Sequence, residues 1–572
     1  MARKADMRLE MSFGTLAATR ADGPKPARFR IALIGDFSGR AARGEVRIGA
    51  DLAARRPIRL DVDTLDQVIA GFATTLVLPI GKKGQGIAVG LRAIDDLHPD
   101  ELFEKVPMFA ELVALKRRLA AGATEKGAVS DLRDWGQAFG RKVTPPARSS
   151  AGNAVPADRT LSDFAKLVGG TVTRKAVASP ADELLHRIVG PYIQALPDPN
   201  AAAMQEAVEE SLAGAMRLVL HHPEFQSVEA QWRMLDLITR SVETDAKLDI
   251  VLYDISAEEL AADLAAEDDL TASGFCKLLV EGTPDGRGPF SAICGLYTFE
   301  ETPPHAELLG RIAKVCAHVN APFFGAIGPG FMEVPKDARH PLVAEAWDAL
   351  RALPEAGHVA LASPRFLLRR PYGAKSDPIH EFDFEEFTEA EGLSGMLWAN
   401  PVALVVILLA RSFRKSGPAL GLGQVMSLGE MPYIYVKDRY GDQVALPCTE
   451  RNLTQTRTQA AIARGLMPVV SVKGRDEVRL ASFQSLAGAT VLGPWSDGPP
   501  PKPREAPPRQ AGTEAAAQDN ASDDSASDAA DDDLAALLAG FDSETPDADT
   551  GGDSTADAKE MDADLAALLA SL

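Results

Sequence analysis

The chain has 572 residues, 46% of them hydrophobic, and a formal charge of −21. That length exceeds one ordinary core and calls for two or three domains. Between Ala511 and Leu572 stand 17 acidic residues and a single lysine, Lys559, so this stretch carries −16 of the charge and the remainder is close to neutral. Such a balance makes the chain a poor candidate for nucleic-acid binding, which needs Lys and Arg to neutralise phosphate, and no nucleic acid is expected. Cys276, Cys294, Cys316 and Cys448 show no CxxC spacing, which fits a reducing compartment rather than a disulfide framework. No secretory h-region follows Met1, and the most apolar run, Pro401–Ala410, is half of the roughly 20 residues a membrane span requires, so it reads as a core helix and no membrane insertion is expected.

In chain order, MRLEMSF (Met7–Phe13) alternates apolar and polar residues as a half-buried strand does, within an N-terminal arm of residues 1–27. FRIALIGDFSG reads as an apolar strand ending in a turn. RPIRLDVDTL reads as a second strand, with a short helix starting at Asp66. TTLVLPI and GIAVGLRAI flank GKKGQG as a hairpin. A phosphate loop is the rival reading of GKKGQG, but it lacks the GK[ST] ending and precedes a strand. Asp95–Asp100 marks a helix start, capped by Asp96 or a neighbour, with Pro99 in the first turn. Leu102, Val106, Phe109, Leu112, Val113 and Leu119 then recur at helical spacing.

Residues 120–179 are rich in Gly, Ala, Ser, Pro and charge and read as a flexible linker. It holds short helical islands, the clearest being LSDFAKLV (Leu161–Val168). From 180 to 495 helical runs alternate with strand-like runs, which argues α/β architecture. A Pro-rich spacer follows Trp495, then the acidic tail, too polar to offset its ordering entropy. DLAALLA occurs twice in that tail, at 533–539 and 564–570. Leu534, Leu537 and Leu538, and Leu565, Leu568 and Leu569, share one face of a short helix with acids at its start. Helices so short are marginal alone and fold against a partner. The plain alternative is a low-complexity tail that happens to repeat.

Little in the chain asks to be an enzyme. GLGQVMSLGE follows no suitable strand. The adjacent His221 and His222 point different ways and suit a helix junction better than a metal. Cys316 and His318 lie on an apolar helix. Asp383, Glu385 and Glu386 sit in HEFDFEEF, read as an exposed aromatic segment where a paired-acid site lacks support. GxSxG and HExxH are absent. No cofactor or metal is expected.

RFRIALIGDFSG, RRPIRLDVDTLDQVI and LRAIDDLHPDELFEKVPMFAELVALKRRL (within residues 28–119) resemble the small subunit of the type VI secretion contractile sheath. LVLHHPEFQSVEAQWRMLDLI around Trp232, PRFLLRRPYGAKSDPIHEFDFEE, LWANPVAL and CTERNLTQTRTQAAIARGLMPVV resemble the large subunit. The resemblance implies two α/β bodies clasped together, a non-enzymatic cytoplasmic protein, and assembly with itself or with sheath subunits around an inner tube protein. It also implies recycling by an AAA+ unfoldase. By position, Leu161, Phe164, Leu167 and Val168 stand where the family keeps its recycling helix. The family's large subunit normally runs well past Val469 and Trp495, whereas here proline and acid follow. That departure opens a second reading, a capping or regulatory adaptor that mimics a protomer and recruits partners, the baseplate among them, through its tail. An enzyme with an unfamiliar site is a third.

Overall fold

The computed structural model describes residues 11–16, 28–81, 86–120, 125–139, 199–281, 288–388, 392–437 and 443–496. Through the first part of the chain the elements are β1 (Phe29–Gly35), α1 (Ala50–Ala53), β2 (Ile58–Arg59), α2 (Leu65–Phe72), β3 (Thr75–Leu78), β4 (Ile87–Gly90), α3 (Pro99–Lys105), α4 (Pro107–Ala120) and α5 (Glu125–Ala138). Then come α6 (Pro199–Leu220), α7 (Pro223–Ser241), β5 (Leu248–Asp254), α8 (Ala257–Ala266), α9 (Gly274–Glu281), β6 (Ala292–Phe299), α10 (Pro303–Val319), β7 (Phe323–Ile327), α11 (Pro341–Ala352) and β8 (Val359–Ser363). The last are β9 (Phe366–Leu367), β10 (Trp398–Ala399), α12 (Val402–Ser416), β11 (Ser427–Leu428), β12 (Tyr435–Lys437), β13 (Gln443–Ala445), α13 (Gln455–Ala463), β14 (Met467–Ser471) and β15 (Val478–Leu480).

Nine strands form one mixed sheet in the order β11-β15-β14-β8-β7-β6-β1-β5-β2. The six from β14 to β5 are parallel to their neighbours, and antiparallel strands close both edges. The α/β class is therefore as expected. The union of the two stretches is closer than packing between bodies, because β1 lies inside the sheet of the second stretch. Phe29 to Gly35 pair in register with Leu248 to Asp254 on one side, and Ile31 to Ile34 with Ala292 to Gly295 on the other. A parallel strand covered on both faces must be apolar throughout, and all of FRIALIG is buried. Phe29, Ile31 and Leu33 point into a core with α2 to α7 and α12. Ala32 and Ile34 point into a core with α8 to α11.

Several local expectations hold for identifiable reasons. β3 and β4 pair as an antiparallel hairpin, although residues 82–85 of its turn lie outside the described residues. Residues 402–410 of α12 are buried without exception. His222 caps α7, its Nδ1 accepting from Glu224 N at 3.3 Å, so the His pair does mark a helix junction.

Other expectations need correction. Of RPIRLDVDTL only Ile58 and Arg59 pair, because Asp61 accepts from Asp63 N and turns the chain into a 3-10 helix. The helix start within Asp95–Asp100 does hold, with Pro99 at its first position and the cap on a neighbour of Asp96: His98 Nδ1 accepts from Asp100 N. Asp96 instead accepts from Arg92 N and Ala93 N. Residues 11–13 form no strand. They lie on α10, where Arg311 donates to Ser12 O and Lys314 to Gly14 O, and the segment makes an isolated β-bridge only further on, at Thr15 with Asp269; residues 7–10 lie outside the described residues. Residues 125–138, read as linker, are helical: Ala128, Leu132 and Trp135 are buried at helical spacing, and Trp135 Nε1 donates to Met108 O at 3.1 Å.

Trp232 of α7 is fully buried, with ring centroids 5.8 Å from Phe37 and 5.4 Å from Phe72. Trp232→Ala is expected to cost about 3–5 kcal/mol, the scale for truncating a core aromatic, read as a shift of the urea midpoint. An unchanged midpoint contradicts this packing. Residues 199–496 alone lack the strand between β5 and β6. They are expected to be insoluble when expressed without residues 1–139 and soluble when co-expressed with them; solubility alone contradicts the shared sheet.

Candidate functional site: the shared sheet and its buried ion pairs

The seam is fastened at the carboxyl ends of β1 and β5. There the chain leaves β1 through DFSGRAARGEVRIG and leaves β5 into α8. Asp254 accepts from Phe37 N at 2.9 Å, Ser38 N at 3.2 Å and Ser38 Oγ at 2.7 Å. Burial raises the Asp254 carboxyl despite those bonds. One helical turn on, Ser256 and Glu259 form a capping box at the start of α8. The fully buried Glu259 carboxylate also receives two guanidinium groups from the first stretch. Arg40 donates through Nε at 3.0 Å and Nη2 at 2.9 Å, and Arg55 through Nη1 at 2.9 Å. Burial alone pushes Glu259 up, but the hydrogen bonds from Arg55 and Arg40 outweigh it and hold the carboxyl down at about 2.

The same loop ends on a further buried acid. Asp263 accepts from Gly49 N at 2.6 Å, Gly274 N at 3.0 Å and Phe275 N at 2.8 Å. A Cβ on Gly274 would stand 2.2 Å from Gly49 O, so only glycine permits this approach of α9 to the loop.

A second network fixes the Pro-Tyr-Gly loop. Arg369 donates to Glu229 Oε1 at 2.8 Å, Glu386 Oε2 at 2.6 Å and Glu386 Oε1 at 2.9 Å. Arg233 bridges Glu229 at 2.7 Å and Tyr372 Oη at 2.7 Å, and Tyr372 N donates to Glu386 at 2.7 Å. His221 Nε2 lies 3.6 Å from Glu386. HEFDFEEF is exposed as expected at His380, Glu381, Asp383 and Glu385, but Phe382, Phe384 and Glu386 are buried, because the arginine pays back the carboxylate's lost hydration and the rings enter the core. Burial pushes Glu386 up, and the Arg369 charge with the His221, Arg369 and Tyr372 hydrogen bonds brings it down to about 2. This loop also reaches the first stretch. His98 meets Tyr372 edge-on at 5.1 Å, Phe103 packs on Phe382 at 5.2 Å, and His380 N donates to Asp100 at 3.0 Å.

These arrangements orient backbone and join segments. They present no nucleophile with a base. Among the described residues no three His, Cys, Asp or Glu side chains are grouped to hold a metal, and no helix is long and apolar enough to cross a membrane. A cleft of about 490 Å³ between α8 and α10 is lined by Ala257, Ala261, Ala265, Phe299 and Leu308. Its charged lining is Glu258, His305, Glu307 and Arg311: Arg311 donates to Leu264 O, Ser12 O and Glu307, His305 Nδ1 contacts Glu300, and Glu258 is exposed. The four cysteines are buried and free, Cys316 within the core of α10.

Leu161, Phe164, Leu167, Val168, Leu534, Leu537, Leu538, Leu565, Leu568 and Leu569 lie outside the described residues. Arg40, Arg55 and Glu259, which hold the seam, went unnoticed in the sequence. The Ser256-x-x-Glu259 box was the one legible signal; its arginine partners stand some 200 residues away.

Because Glu259 and Glu386 sit at about 2 against an ordinary 4.5, their contribution to stability is complete above pH 4.5 and lost as pH falls toward 2. Glu259→Gln is expected to cost about 3–5 kcal/mol near neutrality, since two guanidinium groups lose their counter-charge. It is also expected to flatten the acid limb of the stability profile. Parallel wild-type and variant profiles from urea melts between pH 7 and 3 contradict this assignment.

Two family models match separate stretches of the chain. A family model described as EvpB/VC_A0108, tail sheath N-terminal domain, matches residues 202–487, half of the chain. A second, described as Type VI secretion system, VipA, VC_A0107 or Hcp2, matches residues 18–135. The Type VI secretion system sheath protein TssC1 of Pseudomonas aeruginosa is 32% identical over 299 residues, which are 49% of this chain and 60% of that protein. The chain therefore spans less than two thirds of the curated relative it matches. With both sheath sequences meeting in one sheet, the chain belongs to the type VI secretion tail-sheath family and carries small-subunit and large-subunit sequences on one polypeptide.

Proposed function

We propose that this protein is a structural protomer of a cytoplasmic contractile sheath, a small/large fusion that assembles with itself or with separate sheath subunits. The carrying observation is β1 between β5 and β6. A strand bonded on both sides cannot slide out without breaking two ladders, so the two halves transmit load as one block. Covalent fusion fixes their ratio at one to one and raises their effective concentration for pairing. No substrate bond is made or broken in this role.

The division into an arm (1–27), a small-subunit part from 28, a linker, a large-subunit part to 495 and a tail belongs to the same proposal, with the small-subunit part extended through α5. Around the block we place an inner tube protein as cargo and an AAA+ unfoldase that takes hold at Leu161, Phe164, Leu167 and Val168. The tail leucines engage a further partner, with the baseplate as one candidate.

Electron microscopy of the purified protein, alone and with separate sheath subunits, tests the assignment. Tubes or tube segments that incorporate the protein are the expected result. Discrete particles that only cap or bind preformed tubes overturn it in favour of the adaptor reading, to which the proline-rich, acidic stretch after Trp495 lends weight.

A further inference from the structure

The loop between β1 and α1 combines a fixed backbone with exposed aliphatic side chains. Arg47 N donates to Glu259 Oε1 at 3.0 Å, Gly49 N to Asp263 Oδ1 at 2.6 Å, and Glu45 N to Arg40 O at 3.0 Å. Arg43 Nη1 holds Ser38 O. On this rigid frame Val46 is 52% and Ile48 is 42% exposed, flanking Arg47. Large aliphatics held out to water on an immobile loop mark an interaction surface.

Its charge is opposite to that of the chain. Arg40 to Arg56 contain five arginines and two acids in a protein of net charge −21. Arg40 and Arg55 are spent on the buried Glu259, and Arg43 leans on Glu45 at 3.0 Å. Arg47 and Arg56 are exposed, and Arg47 adds only a weak pull on Glu45, behind those of Arg43 and Arg40.

We infer that this Val46-Arg47-Ile48 loop is the seat of the acidic leucine motifs of the tail, Asp531–Ala539 and Asp562–Ala570. Leucines 534, 537 and 538, or 565, 568 and 569, cover Val46 and Ile48, and the flanking aspartates face Arg47 and Arg56. Charge and apolar content are complementary. The chain length also suffices. Trp495 stacks near Phe29, at the amino end of β1, and the loop lies at the carboxyl end, about 23 Å away along a seven-residue strand. The 34 residues from 497 to 530 span about 30 Å as a coil and more where proline stiffens them. One loop and two motifs per chain leave a second motif free for a neighbouring copy. The inference holds whether or not the protein polymerises.

The test uses the full chain carrying Ile48→Cys together with Leu537→Cys or Leu568→Cys under mild oxidation; the native cysteines are buried. Val334→Cys, at a site of matching exposure (41%), paired with the same tail cysteine is the control. Disulfide formation at position 48 is expected to be about tenfold faster than at 334, within one chain or between two. High salt or the Arg47→Glu, Arg56→Glu pair is expected to bring it to the control rate. Val46→Cys replaces Ile48→Cys if the latter shifts the thermal melt. Equal rates at the two positions, or a rate at position 48 unmoved by charge reversal, overturn the inference.

Discussion

The insertion of β1 between β5 and β6 governs everything else in this molecule. Its seven residues complete a parallel sheet whose other central strands come from more than two hundred residues further along the chain. With β1 absent, β5 and β6 would each expose an unpaired ladder beneath two apolar helical layers, a state with orphaned backbone groups and uncovered core. The second stretch thus lacks a closed core of its own, and the two sheath sequences form one folding unit.

Two buried ion networks then set orientation. Glu259 gathers Arg40 and Arg55 where the strands end, and Glu386 with Glu229 gathers Arg369 and Arg233 beneath the Pro-Tyr-Gly loop. Buried pairs of this kind add little net stability compared with apolar packing, but they penalise every arrangement in which a charge is left alone. At Glu259 that penalty falls on sliding or rotation of one stretch against the other, and at Glu386 on displacement of the Pro-Tyr-Gly loop from α7. Such stiffness suits the proposed role of a block that passes force to its neighbours.

The loop that carries Arg40 has two faces. Inward, its arginines and amides are consumed by Glu259, Asp254 and Asp263. Outward, it displays Val46, Arg47 and Ile48 on a backbone those acids immobilise. One feature thereby joins the halves and offers a surface, and the acidic tail is the part of the chain with chemistry to match.

Much of this was legible in the residues. FRIALIG reads as a doubly covered strand because a continuous apolar run has no other stable place, and Pro401–Ala410 reads as a buried helix on the same ground. The His222-Pro223 junction announced a helix start. The linker reading failed at Trp135, since a stripe of three buried residues is a faint signal in a polar sequence. Glu386 was read as exposed because a carboxylate's burial depends on an arginine seventeen residues away, which periodicity does not reveal. By itself the sequence determined the α/β class, most central strands and helices, and the order of the two sheath-like stretches, since these follow from local hydrophobic period and motif. Only the tertiary structure decided that β1 enters the other stretch's sheet and that Glu259 binds Arg40 and Arg55. Strand partners and ion pairs across such separations depend on three-dimensional register, and local pattern carries no information about it.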